Sequence, residues 1–400
     1  MSQAVRCQHS IHRLPVCDSK VSHIPFNRVR WVGNEFAYIK SIVEAGHVSG
    51  AGPFTLRVEE FISHLLGSPN LLTTSCTHAL ELAALLLDLK QDCRNEVIVP
   101  SFTFVTTASA FTLHGFSVKF ADVQKSDLNI DPESVEQLIT PRTRAICAIN
   151  YAGRAADFEK LRKLATKHGI TIIEDNAHGF GGSFGNTRLG TLGDISTHSF
   201  HETKNFSCGE GGNVVLNDTK FLERAEILRE KGTNRSRFLR GQVDKYTWVD
   251  IGSSWVMSDI LAAVLFAQLE RMDQVITKRM DIYNSYHQEI SQWAQSNDVR
   301  VPANDVRNIH TAHMFYLQLP TLQSRTRFIR HLANLNINAV FHYQALNKSP
   351  VGLELGSAVG QCPVAEEASD TLVRIPIFES LSDGEIDRVI EGVTTFTVSD

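Results

Sequence analysis

Three segments of the chain hold residue types that could do chemistry together. TIIED, residues 171–175, is a short apolar run closed by two carboxylates. In open parallel sheets, ligands gather at the carboxyl ends of the strands, so Asp175 would stand at such a place if this run is a strand. A carboxylate beside apolar residues needs a cation or several donors around it. The plainer alternative is that Asp175 caps the segment that follows. TTSCTHAL, residues 73–80, puts Thr74, Ser75 and Thr77 where an apolar helix begins. Free N–H groups and the helix dipole make such a start a seat for phosphate, although Ser and Thr are also ordinary caps. SFHETKNFSCGEGG, residues 199–212, sets Lys204 after a strand-like run and before Gly209, Gly211 and Gly212. A lysine held near an apolar strand end is desolvated and can condense with a carbonyl as the free amine. In the open it is only a solvated charge.

Each signal is weak alone. In combination, a strand-end acid, an anion seat and a later lysine are the parts needed to hold a pyridoxal phosphate. Other cofactor motifs fit poorly: GFGGSFG (179–185) misses GxGxxG spacing and follows its acid, and GEGG lacks the GK[ST] of a phosphate loop. His9 and His12 stand three apart with no third ligand nearby, which favours a solvated pair over a metal site. The seven cysteines are odd in number and show no CxxC or other ligand spacing, as expected of reduced thiols in a cytoplasm.

The elements that must position these residues read as follows. From about residue 24 to 220, helix-like stretches such as 56–66 and 76–89 alternate with short apolar runs at 96–100, 118–123, 145–149, 171–175, 196–200 and 213–217. That alternation predicts an α/β fold, a mostly parallel sheet with helices on both faces. Gly185-Asn186 followed by Gly190 predicts a turn. After Phe221 come long helical stretches, and from about 297 a small α+β region. The division expected is a mobile lead at 1–23, a large domain at 24–275 and a small C-terminal domain at 276–400. Composition agrees with an enzyme-sized globular chain: 42% hydrophobic, net charge −5 from 39 basic and 44 acidic residues spread along the length. Such a balance offers no basic face for nucleic acid or an anionic membrane. A start without a secretion signal and the lack of any membrane-length apolar run predict a cytoplasmic protein.

From about Ile24 to its end the chain also resembles the sugar-nucleotide aminotransferases of the DegT/DnrJ class. The blocks that carry the resemblance are PFN (25–27), SCTHALELAALLL (75–87), VIVPSFTFVTTASA (97–110), NYAG (150–153), EDNAHG (174–179), SFHETKN (199–205), GEGG and RIPIF (374–378). Within the class, residues 229–259 together with AHMFY and FHY look most like members that aminate dTDP-4-keto-6-deoxyglucose. The resemblance implies the architecture of fold type I pyridoxal-phosphate-dependent transferases, with a large domain built on a mixed sheet and a small C-terminal domain. It implies that Lys204 condenses with the cofactor's aldehyde and that Asp175 pairs with its pyridine nitrogen. Phe104 would stack on the ring, His178 would lie near the ring hydroxyl, and Ser75, Cys76, Thr77 and Ser199 would hold the phosphate. A homodimer with shared active sites is implied, Ser254 reaching the neighbour's phosphate. L-glutamate would donate the amine to the nucleotide-linked sugar.

For the sugar's diphosphate, Lys231, Arg235, Arg237 and Arg240 form the densest basic cluster, which could equally be a solvated loop. His342 and Tyr343 are further substrate candidates. Many members carry Gln at position 178, Asn and Arg at 254 and 256, and Pro-Leu-His where this chain has Ala345, Leu346 and Asn347, a run expected toward the sugar. A dehydratase of the same fold would carry histidine in place of Lys204. A non-catalytic regulator, or an aminotransferase for a 3-keto or UDP-linked sugar, are the other readings.

Overall fold

The computed structural model describes residues 22–89, 92–303 and 305–398. The polar lead, with His9 and His12, lies outside the described residues apart from Ser22 and His23. A seven-stranded sheet forms the centre, in the spatial order Asn70–Thr73, Gly212–Leu216, Ile195–Ser199, Thr171–Asp175, Thr143–Ile149, Glu96–Pro100 and Ser117–Ala121. Gly212–Leu216 runs antiparallel to both neighbours, and the remaining pairings are parallel. The sheet is thus mixed but mostly parallel. EVIVP and TIIED are buried at every position, the pattern of strands covered on both faces, which is why they read as unbroken apolar runs. Asn70–Thr73 carries no such run, and its strand character comes from pairing with Gly212–Leu216 at the sheet edge.

Helices flank the sheet. Cys76–Leu86 is apolar on most of its circumference and packs into the main core with Val97, Val99 and Val214. The apolar stretch after residue 256 forms two helices, Asp259–Leu269 and Met272–Ser296. The corner between them is tied by side chains: Glu270 accepts from the Tyr38 hydroxyl at 2.8 Å, and Arg271 pairs with Glu379 at 2.5 Å. Gly185, at φ +55°, turns a small hairpin of Ser183–Phe184 and Thr187–Arg188, joined by Asn308–Ile309.

A second sheet, Phe315–Gln318, Leu372–Ile375 and Val340–Phe341 with Leu372–Ile375 central, is antiparallel throughout. Helices Leu322–Asn334 and Asp383–Thr394 pack with it around Tyr286, Phe315, Phe328 and Val373. Ile24 joins this cluster, and its N–H donates to the Asn336 carbonyl at 2.9 Å. Met314, Tyr316 and Ala345 pack instead into the core of the large sheet, so the two sheets meet along a continuous apolar contact. Among the described residues no helix is long and apolar enough to cross a membrane, and no group of three or more His, Cys, Asp or Glu is arranged to hold a metal ion.

Candidate active site

The two carboxylates that close TIIED point to opposite sides of the strand, as successive side chains must. Glu174 is fully buried and accepts from the N–H groups of Gly190, Leu192 and Gly193, from Ser196 and from Asn150. It anchors the loop that leads into the next strand. Asp175 faces a cavity of about 690 Å³ at the carboxyl end of the sheet. Thr107 donates to one of its oxygens at 2.8 Å, and the Ala177 N–H to the other at 3.2 Å. Burial pushes the Asp175 carboxyl above its usual range, while those two donors and the charge of Lys204 oppose the shift. A buried acid in this condition favours a cationic partner on its open side.

Lys204 lines the same cavity from the turn after Ile195–Ser199. Burial lowers its amine to about 8, with Cys76 and Asp175 pulling the other way and Arg374 adding to the depression. Ser75 is the N-cap of Cys76–Leu86, its hydroxyl accepting from the His78 N–H at 3.1 Å. The capping reading is therefore correct, and it leaves the first-turn N–H groups of Cys76 and Thr77 without carbonyl partners in their own helix. Gly212 lets the neighbouring strand come close: a Cβ there would lie 2.2 Å from the Ser75 carbonyl carbon and 2.4 Å from the Cys76 nitrogen. Gly212 is also the register partner of Ser199, which brings that hydroxyl to the helix start.

The structure gathers Ser75, Cys76, Thr77, Phe104, Asp175, His178, Ser199, Lys204, His342 and Tyr343 around this one cavity. His178 stacks on His313 with ring centres 4.5 Å apart, and its Nε2 meets the Tyr343 hydroxyl at 3.2 Å. His342 Nδ1 meets the Tyr151 hydroxyl at 2.8 Å. Burial holds all three histidines well below their ordinary value, so they are neutral at pH 7. Tyr343 adopts φ +38°, a strained conformation for a non-glycine residue. Thr107, His313 and Arg374 were not singled out by the sequence reading. No local periodicity marks them, although each falls within or beside a block that carried the resemblance.

The residue 31–394 segment matches the DegT/DnrJ/EryC1/StrS aminotransferase family. The chain belongs to that family. An uncharacterised protein of Methanocaldococcus jannaschii, MJ1066, is 29% identical over 350 residues, which cover 86% of this chain and 89% of that one. Among solved structures, a putative sugar aminotransferase Spr1654 from Streptococcus pneumoniae in its PMP form superposes with a TM-score of 0.86 at 25% identity, covering 93% of this chain and 98% of its own. 3-Amino-5-hydroxybenzoic acid synthase superposes at 0.82 with 27% identity and the same coverage. The architecture is that of fold type I pyridoxal-phosphate-dependent transferases.

In this aminotransferase the remaining candidates stand elsewhere. Lys231, Arg235, Arg240 and Ser254 do not line the cavity of their own chain. Arg235 pairs with Glu230, Arg237 with Glu223 and Arg240 with Glu226, at 2.6, 2.9 and 2.7 Å, so acids from the preceding helix and its end already answer much of the basic cluster. Ser254 is exposed, bridged to Glu230, next to the buried Trp255 that stacks on His78. Ala345, Leu346 and Asn347, expected toward the sugar, are buried behind the cavity wall. There Asn347 accepts from Ser101 at 2.6 Å and donates to Glu366 at 2.6 Å, satisfying its amide within the protein.

Proposed function

We propose that this aminotransferase uses pyridoxal 5'-phosphate to move the amino group of L-glutamate onto a nucleotide-linked 4-keto-6-deoxy sugar. The sugar nucleotide best supported by the sequence is dTDP-4-keto-6-deoxyglucose, and the products are a dTDP-4-amino-4,6-dideoxy sugar and 2-oxoglutarate. One observation carries the reading: a depressed amine at Lys204 and a buried acid at Asp175 share a cavity with a helix start built for an anion. These groups fit the cofactor. Asp175, with its carboxyl pushed up by burial, suits a protonated ring nitrogen. Ser75, Cys76, Thr77 and Ser199 suit the phosphate, Phe104 the ring face and His178 the ring's edge.

When bound, the cofactor supplies an electron sink that makes the C–H bond beside an attached nitrogen acidic. Lys204 takes that proton at its Nζ and returns it on the other side of the exchange, serving the donor in one half-reaction and the keto-sugar in the other. Neutral His178, His313 and His342 present polar edges to this space without adding charge that would compete with Lys204. The purified protein, supplied with cofactor, should be yellow, bleach with L-glutamate and regain its colour with the keto-sugar nucleotide. A panel of 4-keto, 3-keto and UDP-linked sugars, with the product stereochemistry read by NMR, tests the substrate. Protein that stays colourless after reconstitution overturns the enzyme reading in favour of a binding module.

The amine value of about 8 for Lys204 gives a second expectation. At pH 7 about one amine in ten is free, against fewer than one in a thousand for an ordinary lysine. The rate at which apoprotein takes up pyridoxal phosphate should therefore rise about tenfold between pH 6 and 7 and level off above 8, followed by visible absorbance. A flat profile from pH 6 to 9 would show that the Lys204 amine does not limit the condensation.

The working unit proposed is a homodimer with shared sites. Support comes from exposed apolar side chains in the 231–254 segment, Trp248 at 77% and Tyr246 at 55%, and from Phe104, 53% exposed at the cavity. Such surface is costly in water unless covered. Trp248→Asp should shift sedimentation from dimer to monomer and lower cofactor retention; an unchanged sedimentation coefficient would move the interface elsewhere.

A further inference from the structure

Tyr151 and His342 are 191 residues apart in sequence and meet where the two sheets join. Tyr151 stands just beyond strand Thr143–Ile149 and is fully buried, its N–H donating to the Asn129 side chain at 2.8 Å. His342 follows strand Val340–Phe341 and lines the cavity, which Tyr151 does not reach. Phe102 packs against both rings, its centre 5.3 Å from that of Tyr151 and 6.4 Å from that of His342. One bond joins the pair, between the Tyr151 hydroxyl and His342 Nδ1 at 2.8 Å. Burial decides which of the two atoms donates. Among the described residues the Tyr151 hydroxyl has no other partner. If Nδ1 held the proton, the hydroxyl's own proton would be shut away from water without an acceptor, which is costly. The hydroxyl therefore donates and Nδ1 accepts. Burial also keeps the imidazole neutral, so its one N–H proton sits on Nε2. Nε2 has no partner among the described residues and, unlike Nδ1 of His178, is not enclosed by protein, so it faces the cavity as a donor.

A fixed, neutral N–H has a particular use in this cavity. Positive charge is already present, in Lys204 and Arg374, and it suits the carboxylates of an amino donor. A carbonyl or hydroxyl oxygen carries no net charge and is better met by an uncharged donor, which costs far less to hold out of water than a cation does. Of the two substrates, the keto-sugar ring is the one that presents such oxygens. We propose that His342 Nε2 donates to an uncharged oxygen of the keto-sugar and that Tyr151 is the positioning residue that fixes the ring in this form, an assignment that rests on the transaminase function above. Without the tyrosine hydroxyl, either nitrogen of the imidazole could carry the proton. The ring would then present an acceptor to the sugar for part of the time, and an acceptor repels a carbonyl oxygen.

The test reads the ring first and the reaction second. In protein carrying isotopically labelled histidine, the nitrogen NMR signals of His342, assigned by their loss in His342→Gln, should show a protonated Nε2 and a bare Nδ1 at neutral pH, with or without cofactor. In Tyr151→Phe those signals should move toward a mixture of the two neutral forms, a change that a purely structural role of the hydroxyl would not produce. The same variant should slow the pyridoxamine-loaded protein's reaction with keto-sugar nucleotide by about tenfold below saturation, the scale of one neutral hydrogen bond, with a smaller loss at saturation. Bleaching of the holoenzyme by L-glutamate should change by less than about twofold. His342→Ala should reproduce the loss, and His342→Gln, whose amide can still donate, should recover part of it. A wild-type ring protonated at Nδ1 overturns the assignment, as does a Tyr151→Phe variant in which neither the signals nor the sugar step changes. An equal loss in both half-reactions also overturns it, reducing Tyr151 to a packing residue. A wild type that aminates no keto-sugar overturns the transaminase reading and with it the use of the ring, whereas the position of the proton, read without cofactor, stands or falls by itself.

Discussion

Replacing Lys204 by alanine is expected to lower transamination by about ten-thousand-fold, the upper end of what one positioned acid–base group contributes. The loss should appear equally in both half-reactions, because the same Nζ moves the proton in each. Single-turnover bleaching by L-glutamate is the direct measurement. Lys204→Arg should be as inactive, since a guanidinium stays protonated and cannot act as base. Neither variant should lose the proposed phosphate seat, assigned to the helix start at Ser75 and to Ser199. A variant that retained more than about a tenth of the wild-type rate would move the proton transfer to another residue.

The same amine leaves a mark on stability. Its folded value of about 8 lies below that of an unfolded lysine, so between about pH 8 and 10.4 the unfolded chain holds the extra proton. The apoprotein should therefore gain stability as pH rises through that window, and below it the buried charge is a cost. Lys204→Ala should remove this gain and flatten the curve, as urea midpoints at several pH values would show. Because Lys204 is partly open to the cavity, the effect is smaller than full burial would give.

Asp175→Asn is the second large effect. A carboxylate beside the ring nitrogen raises that nitrogen's pKa by about 1 to 3 units, and a neutral amide does not. The expected loss in the glutamate half-reaction is about 10- to 1,000-fold, with the largest part in the chemical step and little in donor binding. Asparagine keeps one oxygen for the Ala177 N–H, and its NH2 can donate to the Thr107 hydroxyl, which is free to donate to Thr103 instead, so the local structure should hold. The apoprotein should be at least as stable as wild type near neutrality, because burial disfavours the Asp175 charge. An unchanged single-turnover rate would mean that the acid serves the fold and not the reaction.

Much of this site could be read along the chain. The β-branched, apolar character of TIIED and EVIVP identified strands whose ends open on the cavity, and both strands have the bounds the sequence predicts. The serine and threonine residues before an apolar helix marked the helix start, which Ser75 caps. These signals are local, since a strand, a cap or a tight contact is encoded within a few residues of itself. The basic cluster of 231–240 shows the limit of such reading. Composition counts its charges, but the acids that answer them lie up to 14 residues away, on the preceding helix.

What the sequence determined by itself was the kind of parts present and the sheet that would carry them. What tertiary structure alone decided was which parts meet. Of the two adjacent acids 174 and 175, one is consumed by five donors, three from the loop at 190–193 together with Ser196 and Asn150, and the other is left facing the cavity. Arg374 comes from a second sheet, 170 residues beyond Lys204, and lines the same cavity, where among the described residues no carboxylate pairs with it. Secondary structure is set by short-range backbone sterics and side-chain pattern, whereas the meeting of such distant groups is set by how whole layers pack.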